Sequence, residues 1–286
     1  INPQIVTIDM SGYGATGPDA HQISWGPVLD AASGLASATG YADSGPYKQG
    51  IAFPDVVGGL HGTVATLGAL WQHLVDAAPV AVDLSQLETT IAVAGDLVLE
   101  TSLRGSQPGR RGARSADHAP VGVYRCSGDD VWVTLSVVDD DDWRRLVGLV
   151  GSGLGRPEWE DLAERIGDHD EIYAIVSEWT AIRTNHSAAE EFQRVGLSSS
   201  AVMTTRDVME DPQSAVRQLF VDLARPGEEP QVFPGLAMKF TRTPAMVAPA
   251  PKLGEHNDSI LAELGFSAAE RIELAVAGTV ATEPPK

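Results

Sequence analysis

The carboxylate best placed to do chemistry is Asp55, in the segment Phe53-Pro54-Asp55-Val56-Val57-Gly58-Gly59-Leu60. Because an apolar helical pattern follows it, Asp55 is predicted to be the N-cap of a helix that begins near Val57. The free amides of a helix N-terminus also keep a carboxylate ionised, and Gly58 and Gly59 leave room for a substrate against the backbone. Ionised carboxylates can act as covalent nucleophiles. The spacing is therefore compatible with a capping role alone and with a nucleophilic role.

A second set of candidate residues is basic. Arg104, Arg110, Arg111 and Arg114 supply four of the 20 Lys and Arg residues in a chain whose formal net charge is −19. Arginine binds phosphate and carboxylate groups through paired hydrogen bonds. These arginines lie in the segment 104–116, called the basic loop below. The basic loop is predicted either to hold an anionic ligand or to be a solvated connection. His118 follows it and could face the same cleft.

A glycine pattern follows the first predicted strand. The six residues from Gly12 to Gly17 match GxGxxG, which in a strand–loop–helix context indicates a dinucleotide site. Pro18 and Asp19 follow at once, and no apolar helical stripe comes next. The pattern therefore favours a tight loop at the carboxyl end of a strand, where α/β proteins place ligands, and makes Tyr13 and Gly14 candidate ligand contacts.

Composition excludes several classes of protein. With 286 residues the chain can form one or two cores, and the excess of 39 acidic over 20 basic residues disfavours nucleic-acid and anionic-membrane partners. The single cysteine, Cys126, predicts a reducing, cytoplasmic location. No apolar run is long enough for a membrane span. No GxSxG, HExxH, CxxC or Walker A motif occurs, so serine hydrolase, zinc protease and P-loop functions have no support. We also expect no metal or redox cofactor.

Strands and helices are predicted to alternate in the first third of the chain. Strands at Ile5–Ile8 and at 79–84 flank one helix, and Ser85 with Glu88 predicts a capping box that opens a second helix reaching Leu99. Strand, helix, strand, helix is the α/β pattern. The first helix carries one apolar stripe: Leu60, Val64, Leu67, Trp71 and Leu74.

The rest of the chain is predicted to form a smaller α+β module and a C-terminal segment. The module contains a hairpin of 121–126 and 131–138, followed by helices at 141–150, 171–182 and 188–195. The C-terminal segment contains strands near Val232 and at 238–240, then helices at 257–264 and 268–277.

The order of several short blocks resembles the class III CoA-transferase family, which includes formyl-CoA and carnitine CoA-transferases and α-methylacyl-CoA racemases. The resemblance covers nearly the whole chain and depends on the order of the blocks rather than on any one of them. The blocks are Ile8–Pro18, Ala32–Leu35 with Thr39–Gly40, Asp55 with Gly59–Leu60, Thr66–Leu70, Val82–Ser85, Tyr124–Cys126 with Gly128–Asp129, Asp211–Gln213 and Leu253–His256.

The resemblance implies an α/β fold with an incomplete Rossmann-like large domain and an inserted smaller α+β domain. The implied boundaries are 1–117 for the first part of the large domain, 118–222 for the small domain and 223–286 for a C-terminal return to the large domain. It also implies interlocked homodimers. The family has a further segment before the first strand, so we expect this chain to be part of a longer protein and to be inactive as a fragment alone, unless another chain supplies that region.

The resemblance further implies a reaction that moves CoA from an acyl-CoA to a carboxylic acid. Asp55 would attack the thioester to give an acyl-aspartyl anhydride, and the CoA thiolate would then form an aspartyl-CoA thioester. A coenzyme A thioester is thus expected as a substrate rather than a resident cofactor. The residues expected to bind substrate or CoA are Tyr13, Gly14, Trp25, Gly58, Gly59, Arg110 and His118. Ser115–Ala119 lacks the family's glycines and Trp25-Gly26 replaces a Tyr or Glu pair, which disfavours oxalate or formate as the substrate.

Two other functions stay open. An α-methylacyl-CoA racemase would need a histidine where Trp25 stands, although His21 lies four residues before it. A catalytically silent subunit, which supports an active partner, would need neither a competent Asp55 nor a complete CoA site.

Overall fold

The computed structural model describes residues 2–225, 227–244 and 246–283. The chain divides into two compact units, 1–202 and 203–286. The expected boundary at 117 falls within the first unit, and the expected boundary at 222 falls within the second.

Seven strands lie in the described residues. They are β1 Val6–Ser11, β2 Val80–Ser85, β3 Val121–Arg125, β4 Trp132–Ser136, β5 Ser198–Ala201, β6 Phe220–Leu223 and β7 Gln231–Pro234.

The same part of the chain forms thirteen α-helices. They are α1 Gly26–Ala32, α2 Leu35–Ala38, α3 Phe53–Asp76, α4 Gln86–Val93, α5 Gly95–Arg104, α6 Asp140–Val150, α7 Leu162–Gly167, α8 His169–Ala181, α9 Asn185–Arg194, α10 Thr205–Glu210, α11 Pro212–Val216, α12 Asn257–Glu263 and α13 Ala268–Val276.

The first unit contains a parallel pair of strands, β1 and β2, joined through α3. Their register runs from Val6 opposite Val80 to Ser11 opposite Ser85, which confirms both predicted strands. Helix α3 packs against both strands. Its small residues allow this close approach, since a Cβ added at Gly62 would lie 3.4 Å from Met10 Sδ. Mixed helix and sheet is thus the observed architecture of this part of the chain.

Helix α3 begins earlier than predicted and buries a different face. It starts at Phe53 with Ala52 as N-cap, so the prediction of Asp55 as N-cap is wrong and Asp55 lies in the first turn. Pro54 explains the early start, because its fixed φ suits the first turn of a helix. The face that packs is the one with small residues, and the apolar stripe is 63–78% exposed in this chain. The stripe comprises Leu60, Val64, Leu67, Trp71 and Leu74.

The predicted helix after β2 is two helices. Ser85 caps α4 by accepting a hydrogen bond from the Glu88 amide at 3.3 Å, which confirms the Ser85 half of the predicted capping box. No return bond from the Ser85 amide to the Glu88 carboxylate occurs among the described residues. The helix ends at Val93, and Ala94 has ψ of 24°, outside the helical range. Gly95 follows, and glycine weakens a helix interior by about 0.5–1 kcal/mol relative to alanine.

A second sheet of the first unit is the antiparallel β3-β4-β5, covered by α6, α8 and α9. The hairpin and all three helices were predicted, whereas β5 was not. Complete burial of a large apolar side chain contributes about 1.5–3 kcal/mol, so this cluster is a main source of stability. The largest members of its core are at most 1% exposed: Tyr124, Val133, Leu135, Trp143, Leu146, Trp159, Ile172 and Phe192.

The second unit contains the antiparallel pair β6-β7 and helices α10 to α13. The strand near Val232 and the two terminal helices are confirmed, but the strand at 238–240 is wrong. Pro234 ends β7, and Met238 and Phe240 are more than half exposed with no strand partner in the described residues. None of the described helices has the length and apolarity that a membrane crossing requires.

Candidate active site around Asp55

The side chain of Asp55 is exposed at the start of α3, where other elements of the first unit converge. Its amide donates to the Ala52 carbonyl at 3.1 Å, which holds the first turn. Its carboxylate faces Gly26, the first residue of α1, and Gln86, the first residue of α4. Three segments distant in sequence therefore define the surroundings of one carboxylate.

Gly26 gives Asp55 its space on one side. A Cβ placed at Gly26 would lie 2.3 Å from Asp55 Oδ2 and 2.8 Å from the Ala52 Cβ. Gly26 is itself buried, so the carboxylate packs directly against its backbone. Any larger residue would have to displace either Asp55 or the start of α3.

Gln86 contacts the other carboxylate oxygen. Its Nε2 donates a long hydrogen bond to Asp55 Oδ1 at 3.4 Å. The Gln86 side chain lies over Gly58, where an added Cβ would be 3.0 Å from Cγ and 3.4 Å from Nε2. Gly58 thus lets the amide reach Asp55, whereas a Cβ on Gly59 would meet open space.

The loop after β1 lies beside the start of α4. The Gly12 carbonyl accepts a hydrogen bond from the Leu87 amide at 2.9 Å. Gly14 is buried with φ of 90°, a conformation that favours glycine, and a Cβ there would lie 3.5 Å from the Ser85 Cβ. The Ala15 amide donates to the Asp83 carboxylate at 3.0 Å. A turn follows the loop rather than a helix, so the strand–loop–helix context of a dinucleotide site is absent at 12–22.

The two predicted aromatic contacts differ in exposure. Tyr13 is half-buried in the loop after β1, and Trp25, which precedes α1, is 75% exposed. Trp25 adjoins Gly26 and therefore stands next to the residue that packs on Asp55. His21, the residue considered for proton transfer, is exposed in the turn before α1.

Each arginine of the basic loop has a partner within the chain. Arg104 and Arg111 both contact Glu100, at 2.9 and 3.3 Å, and Arg114 pairs with Asp170. Arg110 is half-buried, and its Nη1 donates to the Ser37 carbonyl at 3.2 Å. These contacts fasten the loop to α2, α5 and α8.

Arg110 and His118 both retain unused hydrogen-bonding capacity. Arg110 Nε and His118 Nδ1 are buried atoms without a hydrogen-bond partner. Across the residues that the structure describes, no hydrogen bond or ion pair connects either side chain to Asp55. The predicted site residues therefore form two groups, one around Asp55 and one in the basic loop.

Two cavities of about 530 and 570 Å³ flank the basic loop. Tyr41, Arg111, Arg114 and His169 line both. The first cavity also has aromatic walls from Trp132 and Tyr173, and the second is lined by Arg110, Asp43 and Ser115 among others.

His169 is the polar group most deeply buried at these cavities. It is 5% exposed, and its Nε2 donates to the Val121 carbonyl at 3.1 Å, which leaves Nδ1 as an acceptor without a partner. Burial is the main cause that lowers the pKa of His169, and the positive charge of Arg114 lowers it further. Burial also raises the pKa of Tyr124, whose ring stacks on Tyr173 at 4.8 Å.

The geometry around Asp55 defines a class of site: an accessible carboxylate at a helix start, with glycine clearance and an amide donor. Such a group can attack an electrophilic carbonyl. Sequence reasoning identified Asp55 and Gly58, and the family resemblance also drew attention to Gly26, but Gln86 and His169 were missed. The only signal for Gln86 was its place directly after the predicted cap Ser85. No cluster of three or more His, Cys, Asp or Glu suited to a metal ion occurs in the described residues.

The chain belongs to CoA-transferase family III, whose profile matches residues 1–257. It is 30% identical over 234 residues to a protein of Mycobacterium tuberculosis named "Probable CoA-transferase". The aligned region covers 79% of this chain and 29% of that protein. It is 27% identical over 274 residues to the succinate–glutarate CoA-transferase of Agrobacterium fabrum, covering 92% of this chain. The chain spans about two thirds (66%) of the length of that relative.

A solved structure shares the mixed helix-and-sheet fold of this chain. The crystal structure of a CAIB/BAIF family protein from Brucella suis superposes with a TM-score of 0.82 at 24% sequence identity. The match covers 92% of this chain and 68% of that one.

Proposed function

We propose that this chain carries the acyl-transfer centre of an acyl-CoA:carboxylate CoA-transferase, with Asp55 as the nucleophile. The observation that carries the proposal is the exposed Asp55 carboxylate at the start of α3, packed on Gly26 and contacted by Gln86. Membership of CoA-transferase family III supports the reaction class.

The reaction would proceed through exchanges at carbonyl carbons. An Asp55 oxygen attacks the donor thioester, the carbon–sulfur bond breaks, and an acyl-aspartyl anhydride and CoA thiolate result. The thiolate then attacks Asp55 Cγ and expels the donor carboxylate, which leaves an aspartyl-CoA thioester. The acceptor carboxylate attacks the same carbon, releases the thiolate and forms a second anhydride. Attack of the thiolate on the acceptor acyl carbon yields the new acyl-CoA and regenerates Asp55.

This chemistry suits the residues around Asp55. A carboxylate needs no general base to become a nucleophile at neutral pH, because it is already ionised. Space for the thioester is provided by the open surface at Gly59 and the close backbone at Gly58. Tyr13, Gly14 and Trp25 border the same region through the β1 loop and the start of α1, and we assign them to substrate contacts.

The phosphates of CoA are assigned to the basic loop. Arg110, Arg111 and Arg114 line one cavity of about 570 Å³, and arginine is the residue best suited to phosphate. The unpartnered Nε of Arg110 and Nδ1 of His118 could bind a ligand once the loop adjusts. The local excess of positive charge is needed because the chain as a whole is strongly acidic.

The large domain is proposed to be Rossmann-like and to be completed outside this chain. Sheets usually contain about four to six strands, whereas β1 and β2 pair only with each other in the described residues. The exposed apolar stripe of α3 is a surface of the kind that contacts another chain or domain. We assign this stripe to the interface of an interlocked homodimer of the full-length protein. We also propose a reducing compartment such as the cytoplasm, since Cys126 is a free, buried thiol.

The test is a transfer assay on the full-length protein. Succinyl-CoA and other acyl-CoA donors are incubated with glutarate and a panel of carboxylates, and new acyl-CoA species are detected by mass. Transfer to a carboxylate supports the proposal. Solvent deuterium entering the α-carbon of a 2-methylacyl-CoA, without any transfer, would indicate the racemase instead. Activity that appears only after addition of a second chain would indicate a silent partner subunit.

A further inference from the structure

The Asp55 carboxylate has two inequivalent oxygens. Oδ1 accepts a hydrogen bond from Gln86 Nε2, while Oδ2 lies against the backbone of Gly26. The contact to Oδ1 is 3.4 Å, and such active-site hydrogen bonds often shorten when substrate binds. The difference matters because the two oxygens have different fates in an anhydride.

The position of the Gln86 amide is set by its surroundings. Gln86 is the first residue of α4, whose start is held by the Ser85 cap and by the Leu87 amide bonded to Gly12. The absence of a side chain at Gly58 lets the Gln86 side chain lie against α3. The donor is thus directed at Asp55 by two helix starts rather than by a mobile loop.

We infer that Gln86 is a catalytic residue that stabilises negative charge on Asp55 Oδ1 in the steps at Asp55 Cγ. The inference rests on the proposed function. In the anhydride, Oδ2 bridges to the acyl group and Oδ1 is the carbonyl oxygen. When the CoA thiolate attacks Cγ, the sulfur–carbon bond forms and the carbonyl electron pair moves onto Oδ1, next to the Gln86 amide. Collapse restores the carbonyl, breaks the Cγ–Oδ2 bond and releases the donor carboxylate.

The acceptor half of the reaction uses the same donor. Attack of the acceptor carboxylate on the aspartyl-CoA thioester again places charge on Oδ1, until the carbon–sulfur bond breaks and the thiolate leaves. In contrast, attack of Asp55 on the donor acyl carbon develops charge on the substrate oxygen. Gln86 therefore assists both steps at Cγ and contributes much less to the first acylation.

The variant Gln86→Met keeps the length of the side chain and removes the donor. Removal of one donor to a developing oxyanion typically slows a step by about 10²–10³-fold. Using the full-length protein and succinyl-CoA, we expect the aspartyl-CoA adduct, measured by mass after rapid quenching, to form about 100-fold more slowly. The rate at which CoA thiol is first released, measured with a thiol reagent, should change by less than about threefold.

Gln193→Met is the matched control, since Gln193 is an exposed amide in α9 that donates to the Ser199 carbonyl. Circular dichroism checks the folding of both variants. Equal slowing of thiol release and adduct formation by Gln86→Met would overturn the inference and leave Gln86 a positioning residue. Unchanged rates would also overturn it. In either case an adduct at Asp55 would leave the proposed function standing, whereas absence of any Asp55 adduct in the wild type would remove the proposed function itself.

Discussion

The Asp55 carboxylate packs against the backbone of Gly26, so closely that a Cβ at position 26 would lie 2.3 Å from Asp55 Oδ2. Gly26 opens α1 and Asp55 lies in the first turn of α3, so the contact fixes two helix starts against each other. The proposed nucleophile is therefore positioned by the absence of a side chain on a neighbouring element.

Gly26→Ala is expected to displace Asp55. Overpacking of a buried site costs about 1–3 kcal/mol of the free energy of unfolding. Displacement of a reacting group by about 1 Å can lower turnover about 10²-fold. Urea unfolding and a transfer assay measure the two effects.

Gly68→Ala is the control for this substitution. Gly68 lies exposed in the same helix as Asp55, and a Cβ there would meet open space. Alanine should stabilise the helix by about 0.5–1 kcal/mol without changing turnover. Full activity of Gly26→Ala would show that the contact with Asp55 has no role in the reaction.

Arg111→Ala and Arg114→Ala are expected to weaken binding of acyl-CoA. A hydrogen bond to a charged group contributes about 1.5–3 kcal/mol, so KM for acyl-CoA should rise about tenfold or more while kcat stays similar. A pantetheine thioester, which lacks the nucleotide, should show no such rise. Arg144→Ala is the control, because Arg144 is an exposed arginine paired with Asp141 in α6. An equal loss with the truncated donor would argue against phosphate binding by this loop.

His169 is expected to make stability depend on pH. Burial lowers its pKa, so the unfolded chain binds the proton more tightly than the folded chain. Its contribution is fully present above the ordinary histidine pKa of about 6.5, and is lost as the pH falls through that value towards the folded pKa. His169→Gln retains an amide donor for the Val121 carbonyl but does not titrate.

The check on His169 is urea unfolding at pH values between 8 and 5. The stability advantage of the wild type over His169→Gln should shrink as the pH falls. Gln193→Met, at an exposed residue of α9 that carries no titratable group, is the control and should show no comparable change. A constant difference between wild type and His169→Gln would mean that His169 does not titrate with unfolding.

Local patterns in the sequence were enough to predict the strands around α3 and the hairpin, and to single out Asp55 as a candidate carboxylate. Asp55 could be found because its glycines and its helix are neighbours in sequence. Gln86 could not be found, and Gly26 was noticed only through the family resemblance, because the contacts of both residues with Asp55 depend on how α1, α3 and α4 meet, which no local spacing encodes. The apolar stripe of α3 was predicted by periodicity, but periodicity does not say which chain segment covers the stripe.

Local sequence patterns also failed to predict two helix boundaries, the break at Ala94 and the start of α3. A capping serine and apolar spacing predicted one helix after β2, but Ala94 leaves the helical conformation before Gly95. At α3 the cap was misplaced because the helix starts at Phe53, two residues before Asp55, with Pro54 in its first turn. The backbone conformation of Ala94 sets the first boundary and the fixed φ of Pro54 favours the second, and the spacing of apolar residues predicts neither.

The most direct test is to identify the covalent adduct on Asp55. The full-length protein is incubated with the acyl-CoA donor that the transfer assay identifies, quenched in hydroxylamine, digested and analysed by mass spectrometry, in parallel with Asp55→Asn. We predict a hydroxamate at Asp55 in the wild type and no adduct in Asp55→Asn. The turnover of Asp55→Asn should be lower than that of the wild type by at least about 10³-fold, as expected when a covalent nucleophile is removed. Transfer by Asp55→Asn at the wild-type rate, or an adduct on another residue, would contradict Asp55 as the nucleophile.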